Sequence, residues 1–103
     1  MKIQDTNDEA AEPLALSALG WSLSDGARAQ RLLALTGLTP EDLRSRLGDR
    51  SLLAAILRFL EAHEPDLVAC AEALEVTPAQ IVEARRSLER EGPRQSNISA
   101  GNP

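Results

Sequence analysis

Apolar residues recur along the middle of the chain at intervals of three and four, the spacing that gives an α-helix one buried side. Pro13 predicts the start of a first helix, as a first-turn proline, with Leu16, Leu19 and Leu23 along one stripe. Ser24 is a suitable N-cap for a second, which carries Ala29, Leu32, Leu33 and Leu35 and stops at Gly37. Thr39-Pro40-Glu41-Asp42 supplies a cap, a first-turn proline and two acids facing the positive end of a third helix, which Gly48 cuts short. Asp49 then caps a fourth, in which Leu52, Leu53, Ile56, Leu57, Phe59 and Leu60 leave only Ser51, Ala55, Arg58 and Ala62 as a polar strip. A helix apolar on so many sides is surrounded by others, which makes this segment the expected centre.

Glu64-Pro65 interrupts the pattern, because the residue before a proline avoids helical geometry. A fifth helix with Leu67, Cys70, Ala71 and Leu74 on one face follows. Thr77-Pro78 opens a sixth, with Ile81, Ala84 and Leu88 inward and an end before Gly92-Pro93. The expected fold is all-α, a compact orthogonal bundle of five or six short helices over residues 13–92. Residues 1–12, with one lysine and four acids, and residues 93–103, rich in proline, glycine and polar groups, are expected to be mobile tails.

Composition agrees with this reading. Leucine and alanine fill 33 of the 103 positions, whereas Trp21 and Phe59 are the whole aromatic complement, so the core is aliphatic and an all-β domain is disfavoured. Eleven basic against sixteen acidic residues give −5, a balance that weakens general affinity for nucleic acid or anionic membrane. The N-terminus lacks the apolar run of a secretory signal, and the longest apolar stretch, residues 52–60, is about half a membrane span and contains Arg58. One cysteine cannot form an internal disulfide, and with a single histidine it cannot build an ordinary zinc site, so a reducing cytoplasm fits and no cofactor or metal is expected. Ten of the eleven basic residues are arginine, which suggests a GC-rich bacterial genome.

One segment echoes another. Thr36-Gly37-Leu38-Thr39-Pro40-Glu41-Asp42-Leu43 aligns with Leu74-Glu75-Val76-Thr77-Pro78-Ala79-Gln80-Ile81, 38 residues later. Two copies are too few for a solenoid, so the echo reads as one turn solution used twice. The body also resembles a family of small helical proteins from alphaproteobacteria, a domain of unknown function. The resemblance is carried by Ala18-Leu19-Gly20-Trp21 with Leu23 and Asp25, by Arg28-Ala29, and by Leu33-Ala34-Leu35-Thr36-Gly37-Leu38. Pro40, Asp42-Leu43-Arg44, Leu57, Phe59-Leu60 and Glu64 continue it over residues 14–89. It implies a helical fold and a bacterial cytoplasm and transfers no site residues.

Little in the sequence points to catalysis, and no enzyme is expected. His63 and Cys70 could pair as base and nucleophile, but Pro65 interrupts the helix between them and Cys70 falls on an apolar stripe, where a thiol is normally inert. Glu61, Glu64 and Asp66 gather at the same break without the ligand spacing of a calcium loop, and the six glycines form no phosphate-binding loop. Residues from Leu67 to Val82 resemble a helix-turn-helix, with Ala71 at the small crossing position and Thr77 at the cap, though Glu75 stands where glycine is usual. In that reading Gln80, Arg85 and Arg86 face a duplex, yet residues 78–91 balance three arginines with three glutamates.

The leading expectation is a cytoplasmic protein–protein interaction module that contacts a protein partner or itself. Trp21, Leu14 and Ala18 form a second apolar stripe on the first helix, either core or interface, and Trp21 and Leu14 are the expected apolar contact. Arg44, Arg46 and Arg50, around Gly48, are the expected polar rim. Part of that arginine cluster also fits ordinary surface pairing, Glu41 with Arg44 and Asp42 with Arg46.

Overall fold

The computed structural model describes the backbone of residues 2–101 and the side chains of residues 10–90. Six helices follow one another: α1 (Lys2–Leu23), α2 (Gly26–Thr36), α3 (Pro40–Ser45), α4 (Arg50–Glu61), α5 (Glu64–Leu74) and α6 (Pro78–Gly101). No strand occurs among the described residues, and the all-α expectation holds. The expected tails lie mostly beyond the described side chains. At their inner margin Ala11 is already 1% exposed and Glu12 reaches Arg50. Pro13 therefore stands inside α1 rather than at its start, and α6 runs on past Gly92-Pro93.

Helix α4 is the centre, as its pattern requires. Leu52, Leu53, Ala54, Ile56, Leu57, Phe59 and Leu60 are all buried, and α1, α2, α5 and α6 pack around them. Each fully buried leucine or isoleucine contributes about 1.5–3 kcal/mol relative to exposure, so this one helix supplies much of what a small core can offer. From α6, Ile81, Ala84 and Leu88 close on α4 as their spacing predicts.

Helix α1 packs differently from the expectation. Its buried stripe consists of small residues, Ala11, Ala15, Ala18 and Ser22, none more than 1% exposed. Spaced by four, three and four, they share one face and let α1 lie close against α4 and α6. The Ser22 hydroxyl donates to the Ala18 carbonyl at 2.8 Å, so its burial leaves no unpaired donor. Of the leucine stripe expected inside, only Leu19 is buried, and Leu16 and Leu23 stand 41% and 40% exposed. The leucines were displaced because close helix approach favours alanine.

The caps account for the helix boundaries. Asp25, not Ser24, caps α2, accepting from the Arg28 amide at 2.9 Å. Ser24 instead donates its hydroxyl to the Trp21 carbonyl at 2.6 Å, satisfying an acceptor at the end of α1. His63 holds the N-cap position of α5, so the helix restarts one residue before Pro65, which sits in its first turn. Helix α3 ends at Ser45, before Gly48, with the Arg46 amide bonded to the Asp42 carbonyl.

Candidate functional site

Once α1 is turned by its alanine stripe, its leucine flank faces away from α4. Leu16, Leu19, Gly20 and Leu23 of α1 meet Ala29 and Leu33 of α2, with Pro40, Leu43 and Leu47 from α3 and its exit turn on the far side. Between them lies an open apolar groove of about 500 Å³, with Arg44 as its one charged wall residue. The volume is within the range of ordinary ligand or side-chain pockets. Leu16, Leu23 and Leu47 are about 40% exposed at its margin. Only Leu43 anchors α3 in the core, so this wall of the groove is a short helix held by one side chain and its cap.

Arg44 is distinctive electrostatically. Every other described arginine reaches a carboxylate: Arg28 and Arg31 on Asp66, Arg46 on Asp49, Arg50 on Glu12, Arg58 on Glu89, Arg85 on Glu61 and Glu89, Arg86 and Arg90 on Glu83. Among the described residues Arg44 forms no ion pair, and neither does Glu41, three residues before it. The surface pairs expected within α3 therefore do not form. Asp42 is engaged by Thr39 in a capping box, its carboxylate accepting from the Thr39 amide at 3.0 Å while its own amide donates to the Thr39 hydroxyl. That bond from the Thr39 backbone is the main reason its carboxyl is held below the ordinary range. Arg46 turns instead to Asp49, whose carboxyl it lowers.

The residues predicted to act together are dispersed. Trp21 is half-buried, with the Arg28 guanidinium 3.7 Å above its ring and the same group donating to its carbonyl at 3.0 Å. Arg28 leads on to Asp66, Asp66 to Arg31, and Arg31 lies 5.5 Å from the Phe59 ring. Trp21 thus belongs to a strap joining α1, α2, α4 and α5. Leu14 is half-buried beside α6, in a separate cleft of about 80 Å³ with Gln80 and Glu83. Arg50 ties α4 to α1 through Glu12 at 2.7 Å and to the Ser87 carbonyl of α6. Of the predicted contact set only Arg44 borders the groove. Leu16, Leu19, Leu23 and Leu33 were legible as members of apolar helix stripes, but Leu47 carried no such signal and the spacing did not bring these positions together.

The helix-turn-helix assignment also changes at its side chains. Gln80 closes a capping box, its side-chain oxygen accepting from the Thr77 amide at 2.8 Å. Arg85 does not face outward. It grips Glu61 through two bonds of 2.6 and 3.1 Å and Glu89 at 3.0 Å, which hold its guanidinium more firmly protonated still. Arg86 is exposed but lies 3.9 Å from Glu83. Arg85 is thereby engaged in a bridge between α4 and α6.

The remaining chemistry is structural. Burial pushes the Cys70 thiol up to about 11, where the reactive thiolate is scarce at neutral pH. Glu61 and Asp66 are bound by arginines, and no group of three or more His, Cys, Asp or Glu among the described residues is disposed to hold a metal. No described helix is long and apolar enough to cross a membrane.

No curated protein and no solved structure matches the chain. A family model described as "Protein of unknown function (DUF3572)" matches residues 8–91, which takes in α2 to α5, the greater part of α1 and α6, and every wall of the groove. The chain belongs to the DUF3572 family.

Proposed function

We propose that this is a protein–protein interaction module of an alphaproteobacterial cytoplasm, acting by contact rather than by catalysis, and that its contact surface is the groove bounded by α1, α2 and α3. One observation carries the reading: three leucines on one rim stay about 40% exposed beside an apolar hollow of about 500 Å³. Isolated exposed leucines are ordinary, but leucines gathered around a concavity form the kind of patch that proteins cover with a partner. A single buried cysteine with no disulfide supports the reducing compartment.

Site-specific photo-crosslinking in native cytosol tests the reading. A benzophenone side chain at Leu23 or Leu47 is expected to give discrete protein adducts. The same group at Leu35, 70% exposed on α2 and outside the groove, is expected to give none. Adducts from all three positions alike, or from none, overturn the assignment of the groove.

A further inference from the structure

Resting on that reading, we propose that the occupant of the groove is a second copy of this chain, docked about a two-fold axis that runs past α3. A two-fold contact is self-complementary, so every donor must find its acceptor within the same patch. The neighbouring shelf of α3, which meets the groove at Arg44, satisfies that demand. Glu41 and Arg44 are both exposed, both border the same shelf on α3, and neither has an ion-pair partner among the described residues. They do not pair with each other across the single turn that separates them. Antiparallel apposition of α3 with its mate brings each Arg44 to the other copy's Glu41 and forms the pair twice. A foreign partner carrying one sign of charge leaves one of the two groups uncompensated.

The apolar parts show the same self-complementarity. Leu16, Leu23 and Leu47 project from the margin that surrounds the hollow, so one face offers both the knobs and the recess to receive them. Gly20 lies on the groove wall in the last turn of α1, and nothing stands within 4 Å of the position its Cβ would take. Internal packing therefore gives no reason for glycine there, whereas close approach of a second backbone does. The net charge of −5 on each copy opposes association, so the contact must be apolar at its centre with the charge exchange at its edge.

Sedimentation equilibrium of the full chain over a wide concentration range reads the proposal directly. The wild type is expected to reach twice the 11.1 kDa chain mass. Leu23→Glu places a charge in the apolar centre and is expected to weaken the dimer at least a hundredfold. Glu41→Arg and Arg44→Glu each set like charges together and are expected to weaken it at least tenfold. Combining Glu41→Arg with Arg44→Glu exchanges the signs and is expected to restore most of the loss. Circular dichroism of each variant at high dilution confirms that the monomer still folds, and Leu23→Glu keeps the test open if a charge reversal frays α3. A wild-type chain that stays monomeric throughout overturns the second copy as occupant, while groove-specific crosslinks to a different protein in cytosol leave the contact reading standing. A dimer indifferent to Leu23→Glu, or to both single reversals without rescue by the exchange, overturns the two-fold docking.

Discussion

The two copies of the echoed turn, between α2 and α3 and between α5 and α6, share their backbone course but not every hydrogen bond, and have opposite consequences. In each, the residue after the helix is left-handed, Gly37 at φ 75° and Glu75 at φ 62°. In each, a following apolar residue, Leu38 or Val76, packs on the core, and a threonine then opens the next helix through a capping box. The first turn launches α3, six residues with one buried side chain, beside an open groove. The second launches α6, whose Ile81, Ala84 and Leu88 are all buried against α4. Turn chemistry sets the direction of the chain. The apolar stripe beyond the turn decides whether the new helix is bound to the core.

Substitutions of equal size on the two sides should separate this difference most widely. Ile81→Ala is expected to cost about 2–5 kcal/mol, since a fully buried side chain leaves a cavity in the α4–α6 contact. Leu47→Ala, at a 41% exposed position on the groove rim, is expected to cost below about 1 kcal/mol. Urea unfolding of both at high dilution checks the pair. Comparable losses would falsify the distinction between a sealed and an open side.

The sealed side is also latched. Arg85→Ala removes a guanidinium that bridges Glu61 and Glu89 and leaves both carboxylates facing each other, with an expected cost of about 1–2 kcal/mol after allowance for partial solvent access. Arg44→Ala, on the open side, has no ion pair to lose and is expected to fall within about 0.5 kcal/mol. Thermal melts of the dilute variants should show the first shifted by several degrees and the second barely moved.

Acid should find the same latch. The hydrogen bond from Arg58, and then that from Arg85, hold the Glu89 carboxyl below its ordinary value of 4.5. A folded-state value below the unfolded one contributes stability that is complete above pH 4.5 and fades as pH falls through the folded value. Asp42 and Asp49 add contributions of the same sign below their ordinary 3.8. Stability is therefore expected to be level from neutral pH to about 5 and to decline below it. Glu89→Gln should be less stable at neutral pH and should flatten the upper part of that decline. An unchanged slope in this variant would remove Glu89 from the latch.

Most of this architecture is legible in the sequence. Six helices, the central place of residues 50–61, and the inward face of α6 follow from apolar spacing and caps. The groove was not legible, and α1 explains why. Leucine spacing alone placed Leu16 and Leu23 inside, because a periodic stripe of large residues is the usual sign of a core face. Ala11, Ala15, Ala18 and Ser22 repeat with equal regularity, and small residues win where two helices must approach closely. The ion pairs were equally hidden, since Arg85–Glu61 and Arg50–Glu12 join positions 24 and 38 residues apart that only packing brings together.

Modest effects of opposite sign are expected at the turns themselves, and they test whether the two are one solution. Gly37→Ala puts a Cβ on a left-handed residue and is expected to cost about 1–2 kcal/mol, although nothing stands within 4 Å of the added atom. Glu75 already bears that strain. Its amide reaches the Glu72 carbonyl at 3.2 Å and the Val76 amide reaches the Ala71 carbonyl at 2.9 Å, the two bonds of a Schellman ending that ordinarily takes glycine. Glu75→Gly relieves the left-handed strain but adds freedom to the unfolded chain, so the expected net gain is only about 0.5–1 kcal/mol. The glutamate makes no ion pair among the described residues that its removal would forfeit. A raised melting temperature in Glu75→Gly together with a lowered one in Gly37→Ala is the expected result. If Glu75→Gly is destabilising instead, the side chain of Glu75 contributes more than its backbone strain costs, and the two turns are alike in shape alone.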